Sequence, residues 1–167
     1  MTTSQLQSTE AQPVHLDPPR FEDSAAMLIA GLRGHFTPNT ASQLSTQWLR
    51  FIPHIGNVAG QIGRIAYGVC FLSSDGFDYL SGVQVSSSNG LPADFDVVSI
   101  PAQRYAVFAH HGHVSKLSET CDAIEHEWLP RAGYQHPENS PNFFERYGEG
   151  FNPQTGTGDI EIWVPVS

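Results

Sequence analysis

Hydrophobic residues follow two different spacings along this chain, and together these spacings predict a mixed α+β domain. Apolar runs typical of strands cover residues 26–36, 65–72, 77–85, 97–100, 104–109, 142–147 and 159–166. Two other segments, 41–58 and 113–129, carry an apolar residue at every third or fourth position, which predicts helices. Residues 1–13 are polar and show neither spacing, so we expect a disordered tail before a domain that spans 14–167.

Turn and helix-breaking residues divide these elements. The run Ser73–Gly76 predicts a hairpin turn between two strands. Pro53 predicts a kink in the first helix, because proline cannot donate the backbone hydrogen bond of a helix interior. Pro130 and Gly133 predict the end of the second helix.

The order of the elements repeats itself within the chain. Each predicted helix follows a strand and precedes a pair of strands, so the two halves share one plan with little common sequence. Long helices beside such strands favour a sheet that carries both helices on one face. The other face, or the seam between the halves, is then left to hold a ligand.

Charge and hydropathy exclude several classes of protein. The net charge of −9 disfavours direct binding to nucleic acid and favours cations near any cleft. No run approaches the roughly 18 apolar residues of a membrane span. We also find no basic segment followed by an apolar run at the N-terminus, so we expect no signal peptide and a cytoplasmic location.

Few residue patterns point to metal, cofactor or nucleophile chemistry, and we expect no cofactor. Cys70 and Cys121 match no metal-binding spacing and are interpreted as buried thiols. The histidines in the run 109–113 (AHHGH) could ligate a metal, but Gly112 and the start of a helix favour a solvated turn. No Gly-x-Ser-x-Gly elbow and no phosphate-binding glycine loop is present.

The carboxylate of Glu145 stands out because aromatic residues flank it. Strand alternation puts Phe143, Glu145 and Tyr147 on one face of the strand 142–147. Two readings remain open at this point. Glu145 is either an exposed residue that pairs with Arg146 or Arg104, or a carboxylate set into an aromatic pocket.

Further aromatic residues could form such a pocket or belong to the core. Tyr67 and Phe71 share one face of their strand, and Tyr79 lies on the strand that pairs with it. Trp163 shares a face with Glu161, and Trp48 lies on the apolar face of the first helix. The residues alone leave both alternatives open for each of these side chains.

Several motifs in order resemble the GyrI-like small-molecule-binding domain, also called the AraC-type effector-binding domain. The motifs are 67–69 (YGV), 79–83 (YLSGV), 101–108 (PAQRYAVF), Gly112, 128–130 (WLP), 144–147 (FERY) and 161–165 (EIWVP). The resemblance covers about residues 20–167. It implies a duplicated βαββ fold with pseudo-two-fold symmetry, an antiparallel sheet with two main helices on one face, and a central ligand cavity.

The resemblance also implies an aromatic cage around a buried glutamate that pairs with cationic drugs. The glutamate falls on Glu145, one cage tyrosine falls on Tyr67, and Tyr79 lies on the partner strand. The expected ligand-binding residues are Glu145, Tyr67, Tyr79, Trp163, Tyr147, Phe71 and Trp48. The expected ligand is a small organic cation or an amphipathic molecule.

The regulators that this chain resembles join the domain to a DNA-binding helix-turn-helix, whereas here only 13 polar residues precede it. We therefore expect a standalone sensor or sequestering protein linked to transcription regulation, with a separate regulator or a second copy as a possible partner. Some standalone relatives look like cofactor-free hydrolases of strained natural products. In that alternative Glu145 performs acid–base catalysis, helped by Tyr67 or Tyr79. Inhibition of a large partner through the acidic surface is a third hypothesis.

Overall fold

Residues 16–167 are described by the computed structural model, which has eight strands in one antiparallel sheet. The strands are β1 (Arg20–Ser24), β2 (Met27–Phe36), β3 (Gln61–Leu72), β4 (Phe77–Val85), β5 (Asp96–Ile100), β6 (Gln103–His110), β7 (Phe143–Tyr147) and β8 (Ile160–Pro165). Their spatial order is β1-β6-β8-β7-β3-β4-β2-β5. The predicted tail, residues 1–13, and the predicted start of the domain at residue 14 lie outside the described residues.

The strand order confirms the predicted duplication. When β1–β4 are exchanged with β5–β8, the order reads the same from the opposite edge. The pseudo-two-fold axis therefore passes between β3 and β7, which pair antiparallel at the centre of the sheet. Each half also gives its first strand to the other half, since β1 pairs with β6 and β5 pairs with β2.

Short connections require the sheet to curl. β5 is one edge of the sheet and β6 lies next to the other edge, yet only Pro101 and Ala102 connect them. Such a short link spans on the order of 10 Å, so the two edges must approach each other. The inner face of this curl holds its own buried cluster, which includes Ile29, Val69 and Tyr105 and contains no helix residue. Both helices pack on the other face.

The two helices begin in the same way. A 3₁₀ turn, Ala41–Gln43, leads directly into α1 (Leu44–Phe51), and a second 3₁₀ turn, Val114–Lys116, leads directly into α2 (Leu117–Ala123). Leu44 is the first residue of α1 and Leu117 is the first residue of α2. Each residue of the first helix therefore corresponds to the residue 73 positions later in the chain. None of the helices in residues 16–167 is long and apolar enough to cross a membrane.

Both helices differ from the prediction near their ends. The first was expected to reach residue 58, but α1 ends at Phe51 and a 3₁₀ turn, Ile52–His54, carries Pro53. In the second, Pro130 does not end the helix, which continues to Ala132 and is capped by Gly133, as predicted. A π-helical segment, Ile124–Trp128, continues into α3 (Leu129–Ala132), because the wider turn avoids the hydrogen bond that Pro130 cannot donate.

Two strands also differ from the prediction. Strand β1 was missed, since its sequence RFEDS is short and mostly polar, as edge strands often are. Strand β3 begins at Gln61, before the predicted residue 65, with a register irregularity between Gln61 and Ala66. The predicted turn at 73–76 is confirmed by the hydrogen bond from the Ser73 amide to the Gly76 carbonyl.

One buried polar side chain anchors each helix to the sheet at corresponding positions. The Gln47 amide nitrogen lies 3.0 Å from the Leu32 carbonyl oxygen and 3.1 Å from the Tyr79 carbonyl oxygen. Its counterpart Thr120 places its hydroxyl 2.9 Å from Nδ1 of His110. These contacts fix the height and rotation of both helices above the sheet.

We predict that Gln47→Met lowers the free energy of unfolding by about 1–3 kcal/mol, because it leaves buried carbonyl groups without a donor. Urea unfolding measures this change. The matched control is Gln43→Met at an exposed position, for which we expect less than about 0.5 kcal/mol. Equal effects of the two substitutions would refute the anchoring role.

Candidate ligand-binding site

Glu145 lies at the centre of the sheet, beside the pseudo-two-fold axis, and faces the helices. It is only 8% exposed and is paired in register with Gly68 of β3. A Cβ atom at residue 68 would lie 1.7 Å from the Tyr79 hydroxyl oxygen and 2.8 Å from Oε1 of Glu145. Glycine at this position therefore leaves the space in which the carboxylate and the phenol meet.

Two tyrosine hydroxyls donate hydrogen bonds to the carboxylate. Tyr79 donates to Oε1 of Glu145 at 2.5 Å, and Tyr147 donates to the same oxygen at 2.8 Å. Trp48 extends this network, because its indole nitrogen donates to the Tyr79 hydroxyl at 3.2 Å. The Trp48 ring also packs edge-on against Tyr147, with 5.4 Å between ring centres.

Burial is the largest influence on the charge of Glu145. It raises the pKa of the carboxyl to about 7, and the hydrogen bonds from Tyr79 and Tyr147 only partly oppose this rise. Within the part of the chain that the structure describes, no lysine, arginine or histidine forms an ion pair with this carboxylate. The site thus holds a buried acid whose charged form lacks a cationic partner.

A cavity of about 1130 Å³ opens above this carboxylate, between the two helices and the central strands. Its floor includes Glu145, Tyr79 and Tyr147, and Trp48 contributes from the first helix. The remaining wall is largely aliphatic and aromatic. This volume is large enough for a drug-sized organic molecule.

The structure thus brings together four of the seven residues predicted for the ligand site, namely Glu145, Tyr79, Tyr147 and Trp48. It places the other three, Tyr67, Phe71 and Trp163, on the opposite face of the sheet. Pairing across the hairpin explains the separation. Tyr79 is opposite Cys70, whereas Tyr67 is opposite Gly82, so the two tyrosines point to opposite faces.

Tyr67 and Trp163 line a separate small pocket of about 270 Å³, together with Phe144 and Arg146. Burial raises the pKa of Tyr67, which has no contact with Glu145 on this face. The ring of Phe71 lies under the guanidinium group of Arg33, 4.9 Å from the ring centre. Aromatic packing on the inner face of the curled sheet accounts for these positions.

Arg146, one of the two expected partners of an exposed Glu145, also lies away from the cavity. As the neighbour of Glu145 in β7, Arg146 points to the opposite face of the sheet. There its guanidinium is 3.6 Å from the Glu161 carboxylate. Arg104 lies over the ring of Phe21 at 5.2 Å. Of the two readings that the sequence left open, the structure shows the buried carboxylate.

Sequence reasoning missed several residues of the cavity wall. Phe77, Phe151 and both cysteines line it, and burial raises the pKa of each thiol above its usual range. Phe77 was within reach of the sequence, since it shares a strand face with Tyr79. Phe151 lies in an irregular loop, where no periodicity reveals the direction of a side chain.

The histidine run shows no metal geometry. His110 is buried, with its Nε2 2.9 Å from the His113 carbonyl oxygen and its Nδ1 bound to Thr120. His111 instead pairs with Asp17 at 2.6 Å. Across residues 16–167, no group of three histidine, cysteine or acidic side chains is placed to hold a metal ion.

Comparison with known families assigns the chain. Residues 22–166 match the family model described as Cass2, integron-associated effector binding protein. The chain belongs to this effector-binding family. Family membership supports small-molecule binding in general, and it agrees with a cavity of this size beside a buried carboxylate.

A related sequence comes from Pseudomonas aeruginosa. The transcriptional regulator BrlR is 27% identical to this Cass2-family chain over 150 residues, which cover 88% of the chain and 54% of BrlR. The chain thus spans about half the length of that regulator.

Solved structures share the fold. SAV2435 bound to tetraphenylphosphonium superposes with a TM-score of 0.69 at 21% identity, covering 92% of this chain and 94% of that one. The C-terminal domain of EcmrR superposes with a TM-score of 0.65 at 15% identity, covering 92% of this chain and 99% of that one. The Vibrio cholerae integron cassette protein superposes with a TM-score of 0.60 at 13% identity, covering 92% of this chain and 98% of that one. The α+β fold expected from the sequence is therefore confirmed.

The raised pKa of Glu145 predicts a specific dependence of stability on pH. Between pH 4.5 and 7 the folded protein keeps a proton on Glu145 that the unfolded chain releases, so raising the pH destabilises the fold. Relative to Glu145→Gln, we expect the free energy of unfolding of the wild type to fall by roughly 3 kcal/mol across this range. Urea unfolding of both proteins at several pH values tests this, and parallel pH profiles would contradict it.

Tyr79→Phe should raise the pKa of Glu145 still further, because it removes a hydrogen bond that favours the charged carboxylate. A ¹³C NMR titration of the side-chain carboxyl groups measures this, with the Glu145 signal identified by its absence in Glu145→Gln. Tyr105→Phe, on the other face of the sheet, is the matched control and should leave the titration unchanged.

Proposed function

We propose that this protein binds hydrophobic organic cations in the large cavity and that the carboxylate of Glu145 is their charged anchor. One observation carries the proposal: a buried carboxylate, hydrogen-bonded only by neutral tyrosines, faces a cavity of about 1130 Å³ and lacks an ion-pair partner among the described residues. A ligand that supplies the missing positive charge offsets the cost of burying Glu145.

The surrounding side chains favour a lipophilic cation over a hydrated one. Three aromatic rings, those of Trp48, Tyr79 and Tyr147, lie next to the carboxylate and can contact a delocalised or quaternary cation. Each such contact contributes roughly 0.5–2 kcal/mol when water is excluded. Both tyrosine hydroxyls bind Oε1 of Glu145, which leaves Oε2 for the positively charged group of the ligand.

Relatives support the same class of ligand. The structure of SAV2435 contains tetraphenylphosphonium, a lipophilic cation. EcmrR, whose C-terminal domain shares the fold, has also been solved in a complex with DNA. BrlR is named as a transcriptional regulator. We infer that this chain acts as a sensor or sequestering protein for such cations, in a process linked to transcription.

A fluorescence titration with a rhodamine dye cation tests the anchor. We expect micromolar-class binding by the wild type and binding at least about tenfold weaker by Glu145→Gln. Because the pKa of Glu145 is about 7, wild-type affinity should fall by about tenfold from pH 8 to pH 6, as protonation removes the charge.

The Glu145→Gln variant should show no such pH dependence, which separates the titration of Glu145 from that of other groups. Glu161→Gln is a matched control, because Glu161 is a partly buried carboxylate that accepts a hydrogen bond from Trp163 on the other face. Equal affinity of wild type and Glu145→Gln for the dye would refute the carboxylate anchor.

A hydrolytic function is a second candidate, and the pKa of Glu145 favours it. A carboxyl group with a pKa of about 7 beside the Tyr79 hydroxyl is suited to general acid–base catalysis near neutral pH. Incubation with strained electrophilic compounds and product analysis separates this role from binding. Product formed by the wild type and absent with Glu145→Ala supports catalysis, whereas binding without product supports the sensor.

A further inference from the structure

The two helices line the cavity with the same set of positions, but with different chemistry. The corresponding pairs that line the wall are Ala41 and Val114, Ser42 and Ser115, Leu44 and Leu117, Ser45 and Ser118, Trp48 and Cys121, Leu49 and Asp122, and Ile52 and Glu125. The serine pairs and the pair Leu44 and Leu117 are identical in the two halves. In the last two pairs, the first half has an apolar residue where the second half has an acidic one. We call Leu49 and Ile52 the apolar lip, and Asp122 and Glu125 the acidic lip.

The apolar lip is unusually exposed for hydrophobic side chains. Leu49 is 69% exposed and Ile52 is 44% exposed. Residues 16–167 contain six exposed large hydrophobic side chains, and three of them line this one cavity, the third being Leu72 of β3. Exposed apolar residues scattered singly need no explanation, but a group around a cavity mouth indicates a surface that a ligand covers.

The acidic lip does not offer the same surface. Glu125 is held at 2.8 Å by His136, and Asp122 is exposed to solvent. Because Glu125 is already paired, Asp122 is the carboxylate of this lip that can attract cations toward the mouth. Charged groups do not favour a hydrocarbon chain. A ligand with an apolar extension therefore finds its complement on one lip only.

We propose that the preferred ligands are cationic amphiphiles of the alkyl-ammonium type, whose head group pairs with Glu145 and whose alkyl chain lies along the apolar lip. This inference rests on the proposed function, since it takes the Glu145 anchor as given. The cavity of about 1130 Å³ provides the path between the two points, because Glu145 and both lip residues line it. The apolar lip is thus a second binding region that selects for chain length.

Chain length gives a quantitative test. Burial of one methylene group contributes enough free energy to strengthen binding about fourfold, and half-burial about twofold. Titrations with decyl-, dodecyl- and tetradecyltrimethylammonium below their micelle concentrations should therefore show a two- to fourfold gain per added methylene for the wild type. Phenyltrimethylammonium, which has no chain, sets the reference for the head group.

The double substitution Leu49→Ser with Ile52→Ser should reduce the gain to less than about 1.5-fold per methylene and leave the phenyltrimethylammonium affinity within about twofold. Ile62→Ser is the matched control, because Ile62 is 47% exposed but does not line the cavity. Asp122→Ser, at the position that corresponds to Leu49, should weaken all members of the series by a similar factor. If the double variant unfolds, Leu49→Ser alone provides the test at the more exposed position.

The outcomes separate this inference from the anchor. Equal chain-length dependence in wild type and the lip variant would overturn the inference, even if Glu145→Gln weakens the whole series. The opposite result, a lip effect without any effect of Glu145→Gln, would overturn the anchor instead. Sedimentation completes the test: a wild-type dimer that the lip substitutions dissociate, with unchanged chain-length dependence, would assign the lip to self-association and refute its role in ligand binding.

Discussion

The burial of one carboxylate shapes the central part of this structure. Glu145 occupies a position from which water is largely excluded, and that exclusion keeps its pKa near neutrality. Two tyrosine hydroxyls, a tryptophan that holds one of them, and a glycine without a side chain are all placed to accommodate this single group. Together they hold the acid in place while leaving its charge uncompensated.

The internal duplication explains how such a site arises beside a symmetry axis. At the centre of the sheet Glu145 is opposite Gly68, so one half provides the carboxylate and the other provides the space for it. The helices follow the same principle. Gln47 and Thr120 perform equivalent anchoring, whereas Trp48 and its counterpart Cys121 differ greatly in size. The two anchoring positions thus keep their role in both halves, whereas some of the paired positions that line the cavity carry different side chains.

Much of this architecture could be predicted from the sequence, because it depends on local periodicity. Alternation within β7 correctly grouped Phe143, Glu145 and Tyr147, and helical spacing correctly oriented Trp48. Alternation could not show that the carboxylate is buried, since burial depends on helices distant in sequence. The resemblance to a known family was needed for that step. The π-helical segment before Pro130 depends on how the whole helix packs, so no local pattern in the sequence predicts it.

The face on which Tyr67 lies could have been predicted from the sequence. A turn at Ser73–Gly76 makes Leu72 and Phe77 neighbours, and counting back along both strands pairs Cys70 with Tyr79. Tyr67 must then face away from the carboxylate. The opposite orientation of Tyr67 and Tyr79 follows from the two-residue repeat of strands once the turn is known. Strand register is therefore a stronger guide to the face of Tyr67 than its motif alone.

The exchange of β1 and β5 between the halves has a consequence for how the two halves depend on each other. Among the described residues, β1 pairs only with β6 and β5 pairs only with β2, so neither half contains the partner of its own first strand. The arrangement resembles that of a domain-swapped dimer, except that both halves belong to one chain. Cutting that linker between β4 and β5 would leave two fragments, each with an unpaired sheet edge that only the other fragment completes.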